Sequence, residues 1–214
     1  MACAGTILCV VWKQAQEKET YIYYHKVLWK RAFMEERKKA ITGTCNFSGM
    51  RPITVDLPYP EIKISEKNKS YANVLTQDYC GSVSEMSAIV QYIYNENRMM
   101  VEHCPIAKTV LGIAMAEMMH LQMLGQLIIL LGGDIDFTIR QRNGARKMWT
   151  PEYIETSECI NNMLCRSMEE ERNAITQYRK HIHMINDDCI NKVLERIILD
   201  EEYHIMILKS LMSE

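Results

Sequence analysis

The sequence predicts an all-α protein: a four-helix bundle made of two antiparallel helix hairpins joined by a long crossover, preceded by an N-terminal helical extension. Two observations carry that prediction. The phrase Glu-x-x-Ala-Ile-x-Gln-Tyr occurs twice, as EMSAIVQY from Glu85 and as ERNAITQY from Glu171. A Glu-x-x-His follows each copy, Glu117 to His120 and Glu201 to His204. The order of a Glu helix and then a Glu-x-x-His helix is therefore written twice, and an internal duplication fixes architecture before any local propensity does.

The elements follow in chain order. Residues near 12 to 41 form an amphipathic, basic-ended helix by apolar spacing. From Ile41 to about Lys67, Pro52, Pro58 and Pro60 impose an extended loop. The boundary is drawn at 66, with residues 1–66 as helix and lead-in and 67–214 as the bundle. The first bundle helix is expected from about Ser70 to Arg98. The second starts at Pro105, favourable in a first turn, and stops at Gly132-Gly133. The third is expected after Thr150-Pro151 and runs to about Met184. The fourth opens at Asn186-Asp187-Asp188, whose side chains suit a helix cap. Short links make antiparallel pairs of the first and second helices and of the third and fourth.

Charge and cysteine usage narrow the function. A formal net charge of −2 argues against nucleic acid as the principal partner. Apolar runs look too short to span a bilayer, and GTILCVVW lacks the basic flank of a signal peptide. No membrane partner and a cytoplasmic location are expected. The eight cysteines contain no Cys-x-x-Cys, so they are expected to be free thiols packed as small hydrophobes. His103, His181 and His183 are expected at the surface, and Glu169 and Glu170 on a solvated helix face.

The duplicated acidic residues predict chemistry through their heights. Val101 lies midway between Glu85 and Glu117, and Asn186 midway between Glu171 and Glu201. Both midpoints fall at expected turns, so the constant rise of a helix puts each glutamate level with its hairpin partner. Within each Glu-x-x-His the two side chains share a face. Glu85, Glu117, His120, Glu171, Glu201 and His204 thus converge at one level. Four buried carboxylates cannot stay ionised unpaired. Two divalent metal ions balance them, and an oxygen-rich set with two imidazoles suits iron or manganese. Tyr92 and Tyr178 lie on the same faces as Glu85 and Glu171, within hydrogen-bonding reach of the site.

Over roughly Tyr71 to Glu214 this pattern resembles the ferritin-like dimetal-carboxylate superfamily, whose bundles carry one Glu from each of two helices and Glu-x-x-His from the other two. The resemblance implies that Glu117 and Glu201 bridge the metals and that Glu85, Glu171, His120 and His204 are terminal ligands. Asp200 resembles the outer aspartate that orients the opposite histidine. Its counterpart in the other half is Ala116, so that support is expected on one side only. Gly81, shortly before Glu85, is similar to rubrerythrins, but their paired Cys-x-x-Cys module is absent. The extra glutamate of their third helix is replaced by Met168 and Ala174. The stretch LPYPEIKISEKNKSYANVLTQDYCGSVSEMSAIVQY is similar to manganese catalases, in which the glutamate of the last Glu-x-x-His acts as acid and base. That resemblance implies Glu201, with Tyr92 and Tyr178 beside it, as the catalytic group.

The implied function is an oxidoreductase acting on hydrogen peroxide or dioxygen in oxidative-stress detoxification. A peroxidase would need an external electron donor; a catalase would not. A homo-oligomer is expected. The alternatives are a ferroxidase or iron-storage protein, and a non-catalytic coat or scaffold protein.

Overall fold

A computed structural model describes residues 45–141 and 143–212. The expected N-terminal helix and the residues Cys3 and Cys9 lie outside the described residues. The helices are α1 (Lys69–Cys80), α2 (Glu85–Met99), α3 (Cys104–Leu130), α4 (Ile160–Met184) and α5 (Asp188–Leu211). Between α3 and α4 lie a small hairpin, β1 (Thr138–Arg140) and β2 (Arg146–Met148), and a 3-10 turn (Pro151–Tyr153). The bundle is therefore as expected, with α1 and α2 in the place of its first helix.

Two boundaries differ from expectation, each for a local reason. The first helix is broken between Cys80 and Glu85. Gly81 is required there because a Cβ would stand 2.5 Å from the carbonyl oxygen of Gln77. The Ser84 side chain then caps α2 by accepting from the amide of Ser87. Thr150-Pro151 opens only the 3-10 turn, and α4 begins later, at Ile160. The intervening chain is held extended by Gln91, which donates to the Glu155 carbonyl at 2.9 Å and accepts from the Glu155 amide at 2.8 Å. The glutamine of the first repeat phrase thus anchors the crossover. At the other boundary the expectation was met: α3 stops where Gly132 adopts φ +83°, a conformation that favours glycine.

Two further expectations are corrected. Cys45 and Cys104 form a disulfide that ties the lead-in segment to the start of α3. Cys80, Cys159, Cys165 and Cys189 are free. The helix α3 is also long and apolar enough by composition to span a bilayer. Its apolar surface is instead divided between two core clusters. One contains Leu75, Leu124, Leu127 and Leu194; the other contains Met99, Ile113, Leu164 and Leu208. Glu117 and His120 sit on this same helix, both buried.

Candidate metal centre

The six residues singled out by the repeat all turn inward from four helices: Glu85 from α2, Glu117 and His120 from α3, Glu171 from α4, and Glu201 and His204 from α5. None is more than 3% exposed. Their donor atoms form two overlapping groups, in each of which all atoms lie within 4.8 Å of one another. One group is Glu85, Glu117, His120 and Glu201; the other is Glu117, Glu171, Glu201 and His204. Glu117 and Glu201 belong to both, so these two could bridge a pair of ions while the other four each serve one.

Both histidines face the carboxylates with Nδ1. His120 Nδ1 lies 2.8 Å from Glu117 Oε2 and 3.3 Å from Glu201 Oε1. His204 Nδ1 lies 3.1 Å from Glu117 Oε1 and 3.0 Å from Glu201 Oε2. The opposite nitrogen, Nε2, points out of the cluster in both. That of His204 sits 2.8 Å from the Ile53 carbonyl, which can only accept, so Nε2 carries the proton. A neutral His204 then aims a lone pair at carboxylate oxygens. Glu117 Oε1, buried there, receives no hydrogen bond. Lone pairs converging at about 3 Å need a proton or a cation between them, and an oxygen-rich set with two imidazoles is suited to iron or manganese.

The proton affinities carry the same message. Burial pushes Glu85 well up, with Glu117 and Glu201 adding repulsion. Burial and the same two neighbours push Glu171 up to about 8. Burial would lower both histidines, yet the surrounding carboxylates hold them well above the ordinary imidazole value. Burial would raise Glu117, but His204 and His120 hold it below the carboxylate range. The cluster competes for positive charge from whatever source.

The surroundings of the cluster were only partly anticipated. Asp200 Oδ2 lies 3.1 Å from His120 Nε2, as expected for a residue that orients the imidazole. Arg196 pairs with Asp200 at 2.8 Å, one helical turn away. Against burial, His120, Arg196, Tyr59 and the Val55 amide hold Asp200 down to about 2. Tyr59 donates to Asp200 and lies 3.4 Å from His120 Nε2. Its ring lies under the Arg196 guanidinium, 4.2 Å from the centroid. Burial pushes the Tyr59 hydroxyl up to about 12. Support for the second histidine was expected to be missing; the Ile53 carbonyl supplies it. The lead-in segment is thus a strap across the outer nitrogens of both histidines. It is held by Ile53 N to Gly112 O at 2.9 Å and by Val55 N to Asp200 Oδ1 at 2.7 Å.

The two tyrosines cross between the halves. Tyr92 of the first phrase donates to Glu171 of the second, and Tyr178 of the second donates to Glu85 of the first. Burial and these carboxylates push both phenols well up, so they remain donors. Two polar residues were placed wrongly from sequence. His181 is buried, not on the surface, and its Nδ1 meets Asp78 Oδ2 at 2.7 Å. Gln177, of the second repeat phrase, donates to Asp78 and to the Val83 carbonyl at 2.8 Å each, clamping the helix break. Glu170 is half-buried, not solvated, and burial pushes it up to about 7. His103, His183 and Glu169 are exposed as expected.

A cavity of about 50 Å³ reaches the cluster between α2 and α4. Its wall includes Glu85, Glu117, Glu171 and Glu201, with Tyr92 beside them, and Glu170 and Tyr153. That is room for a few water-sized molecules. Tyr178 and the two histidines are not on its wall.

Fold and donor set together define a dimetal-carboxylate helical bundle of the ferritin-like kind. The sequence profile of the Rubrerythrin family matches residues 82–212, and the chain belongs to that family. The family is one of dimetal oxidoreductases. A probable manganese catalase from Clostridium acetobutylicum is 21% identical over 161 residues, covering 67% of this chain and 71% of that protein. A manganese catalase from Anabaena has a similar structure, with a TM-score of 0.63 and 24% identity over 74% of this chain and 78% of that one. A ferritin-like di-iron-carboxylate protein from Bacillus anthracis aligns with a TM-score of 0.52 and 23% identity, over 67% and 95% of the two chains. At those identities the structural likeness speaks for the fold.

Proposed function

We propose that this protein disproportionates hydrogen peroxide at a dinuclear manganese centre held by Glu85, Glu117, His120, Glu171, Glu201 and His204. The observation that carries this is the small cavity that ends on the four glutamates and has room for a molecule the size of peroxide. The likeness to manganese catalases supports the choice of metal and reaction. So does the lack, at Met168 and Ala174, of the additional carboxylate expected of a rubrerythrin-type peroxidase.

A pair of manganese ions held by these six residues would supply the two-electron redox capacity that couples oxidation of one peroxide to dioxygen with reduction of a second to two waters. The protein handles the two protons that must pass from the first peroxide to the second. Glu201 lines the cavity and is the group placed to hold a proton at a carboxylate oxygen between the two half-reactions. Tyr92 and Tyr178 act by position, each fixing the carboxylate of Glu171 or Glu85 through a hydroxyl that stays protonated. Asp200 and the Ile53 carbonyl fix the two imidazoles with Nδ1 inward. The six donor residues are at most 3% exposed, which limits contact of the centre with bulk water.

The test is metal analysis of protein purified without added metal or chelator, combined with dioxygen release from peroxide. About two manganese ions per chain and dioxygen release without an added reductant are expected. About two irons and no dioxygen would replace this reading with a peroxidase or ferroxidase that draws on an outside electron donor. A bundle that takes up neither metal after reconstitution would overturn it in favour of a scaffold.

A further inference from the structure

The cavity wall has an uneven charge distribution. It contains five glutamates and not one lysine, arginine or histidine. Four of the five belong to the donor groups described above; the fifth, Glu170, belongs to neither. Among the described residues the Glu170 carboxylate has no hydrogen-bond donor and no ion pair. Arg166, one turn earlier, is the nearest compensating charge, but its ion pair is with Glu155. Lys147, on the crossover hairpin, is also committed: its ammonium lies over the Tyr153 ring, 4.8 Å from the centroid. The Glu170 side chain is thus half-buried on the cavity wall with no hydrogen bond or ion pair of its own, which is a destabilising position for a group with only a structural role.

The strap covers the outer nitrogens of both histidines, and the two apolar clusters fill the bundle on either side of the acidic layer. The cavity is one approach that ends on the donor groups, and a cation taking it meets Glu170 on the wall. The ion arrives hydrated and must give up water to reach the donor atoms, which all lie within 4.8 Å of one another in each group. Exchange of water for carboxylate oxygen is the ordinary way in which a hard divalent cation sheds that shell. When ionised, a carboxylate on the wall of such a cavity also raises the local concentration of cations.

We propose that Glu170 is the loading port of the centre: a transient carboxylate site on the cavity wall that captures the divalent metal ion and hands it to Glu171 and the shared glutamates. This rests on the dimetal reading above, and it makes Glu170 a waypoint and not a resident ligand.

Metal uptake by the chelator-treated full-length protein, followed by stopped-flow absorbance with cobalt(II) as the probe, tests it. Glu170→Gln should slow uptake about tenfold at low ionic strength, in keeping with the loss of a steering charge. The same number of ions should be bound at saturation as in the wild type. Glu170→Lys should be slower still. Glu169→Gln, one residue away but exposed and off the cavity wall, should load at the wild-type rate. Wild-type loading by Glu170→Gln would overturn the proposal, as would equal slowing in Glu169→Gln. A lower ion count at saturation in Glu170→Gln would make Glu170 a ligand and also overturn it. If the wild type binds no cobalt, the dimetal reading itself has failed; if it binds two and the variants do not differ, only the port has.

Discussion

The two halves of the site are built from the same words and finished by different means. In the first half, His120 leans on a side chain, Asp200, itself held by Arg196, Tyr59 and a strap amide. In the second half, His204 leans on the bare backbone of the strap, at Ile53. The inner donors are symmetric and the outer support is not. Duplication supplies the ligands; the lead-in segment, which occurs once, supplies the difference.

The largest test asks whether the halves share anything at all. Glu117→Ala removes a donor common to both groups. It is expected to abolish tight binding of both metals and all activity, while circular dichroism still reports a helical bundle. Retention of one full equivalent by elemental analysis would mean that the halves are independent.

Next in size is the pH response of the metal-free protein. Glu85, Glu171, His120 and His204 all have raised affinities for protons in the folded state. Groups raised on folding contribute stability at low pH and lose it as pH climbs through the folded value. Asp200, held down to about 2, acts only below the ordinary carboxylate range. The midpoint of thermal unfolding should therefore fall by several degrees between pH 5.5 and 8 without metal. With manganese bound, the cation takes the place of those protons and the trend should reverse. A melting point that rises with pH in the chelated protein would contradict the electrostatic account of the cluster.

Asp200→Asn should act on one half. Loss of the charged partner of His120 is expected to weaken one ion about 10- to 100-fold, leaving one tight and one weak equivalent in a titration. Uniform weakening of both ions would erase the asymmetry. The complementary change is Gly112→Val. A Cβ on residue 112 would meet the Ile53 side chain at 2.8 Å and the Arg51 carbonyl at 3.3 Å, so the strap must shift. His204 should then lose its carbonyl partner, at a loss of about tenfold in the other ion. The smallest effect is expected from Tyr59→Phe. It removes one hydrogen bond to Asp200, and roughly two- to fivefold in affinity of the His120 half is the scale of such a bond.

What the sequence revealed and what it hid divide along the same line as the site. The six donors were legible because helical periodicity turns spacing into geometry, and a repeated Glu-x-x-His cannot be accommodated in a core by apolar packing. The strap was not, because a backbone carbonyl such as that of Ile53 has no side-chain signature and meets His204 from far along the chain. Tyr59 was hidden in a proline-flanked segment that looked like a plain connection. Arg196 was within reach: it lies one turn before Asp200, on the same face, and a buried cation at that spacing marks an ion pair. His181 was also within reach, three residues beyond Tyr178 and therefore turned to the same interior. The break after Cys80 was invisible to periodicity, since both α1 and α2 are amphipathic and only the crowding at Gly81 separates them.

The crossed tyrosines carry a consequence for anyone wishing to shrink this molecule. Because each phenol serves the glutamate of the other copy, the contact is an exchange between equals and not an internal property of either hairpin. Two identical copies of the α4–α5 hairpin, paired about a two-fold axis, would supply four glutamates, two histidines and both phenol contacts from a single short peptide. Each would also bring its own Asp200 and Arg196, so the backbone strap would no longer be needed to steady the second imidazole.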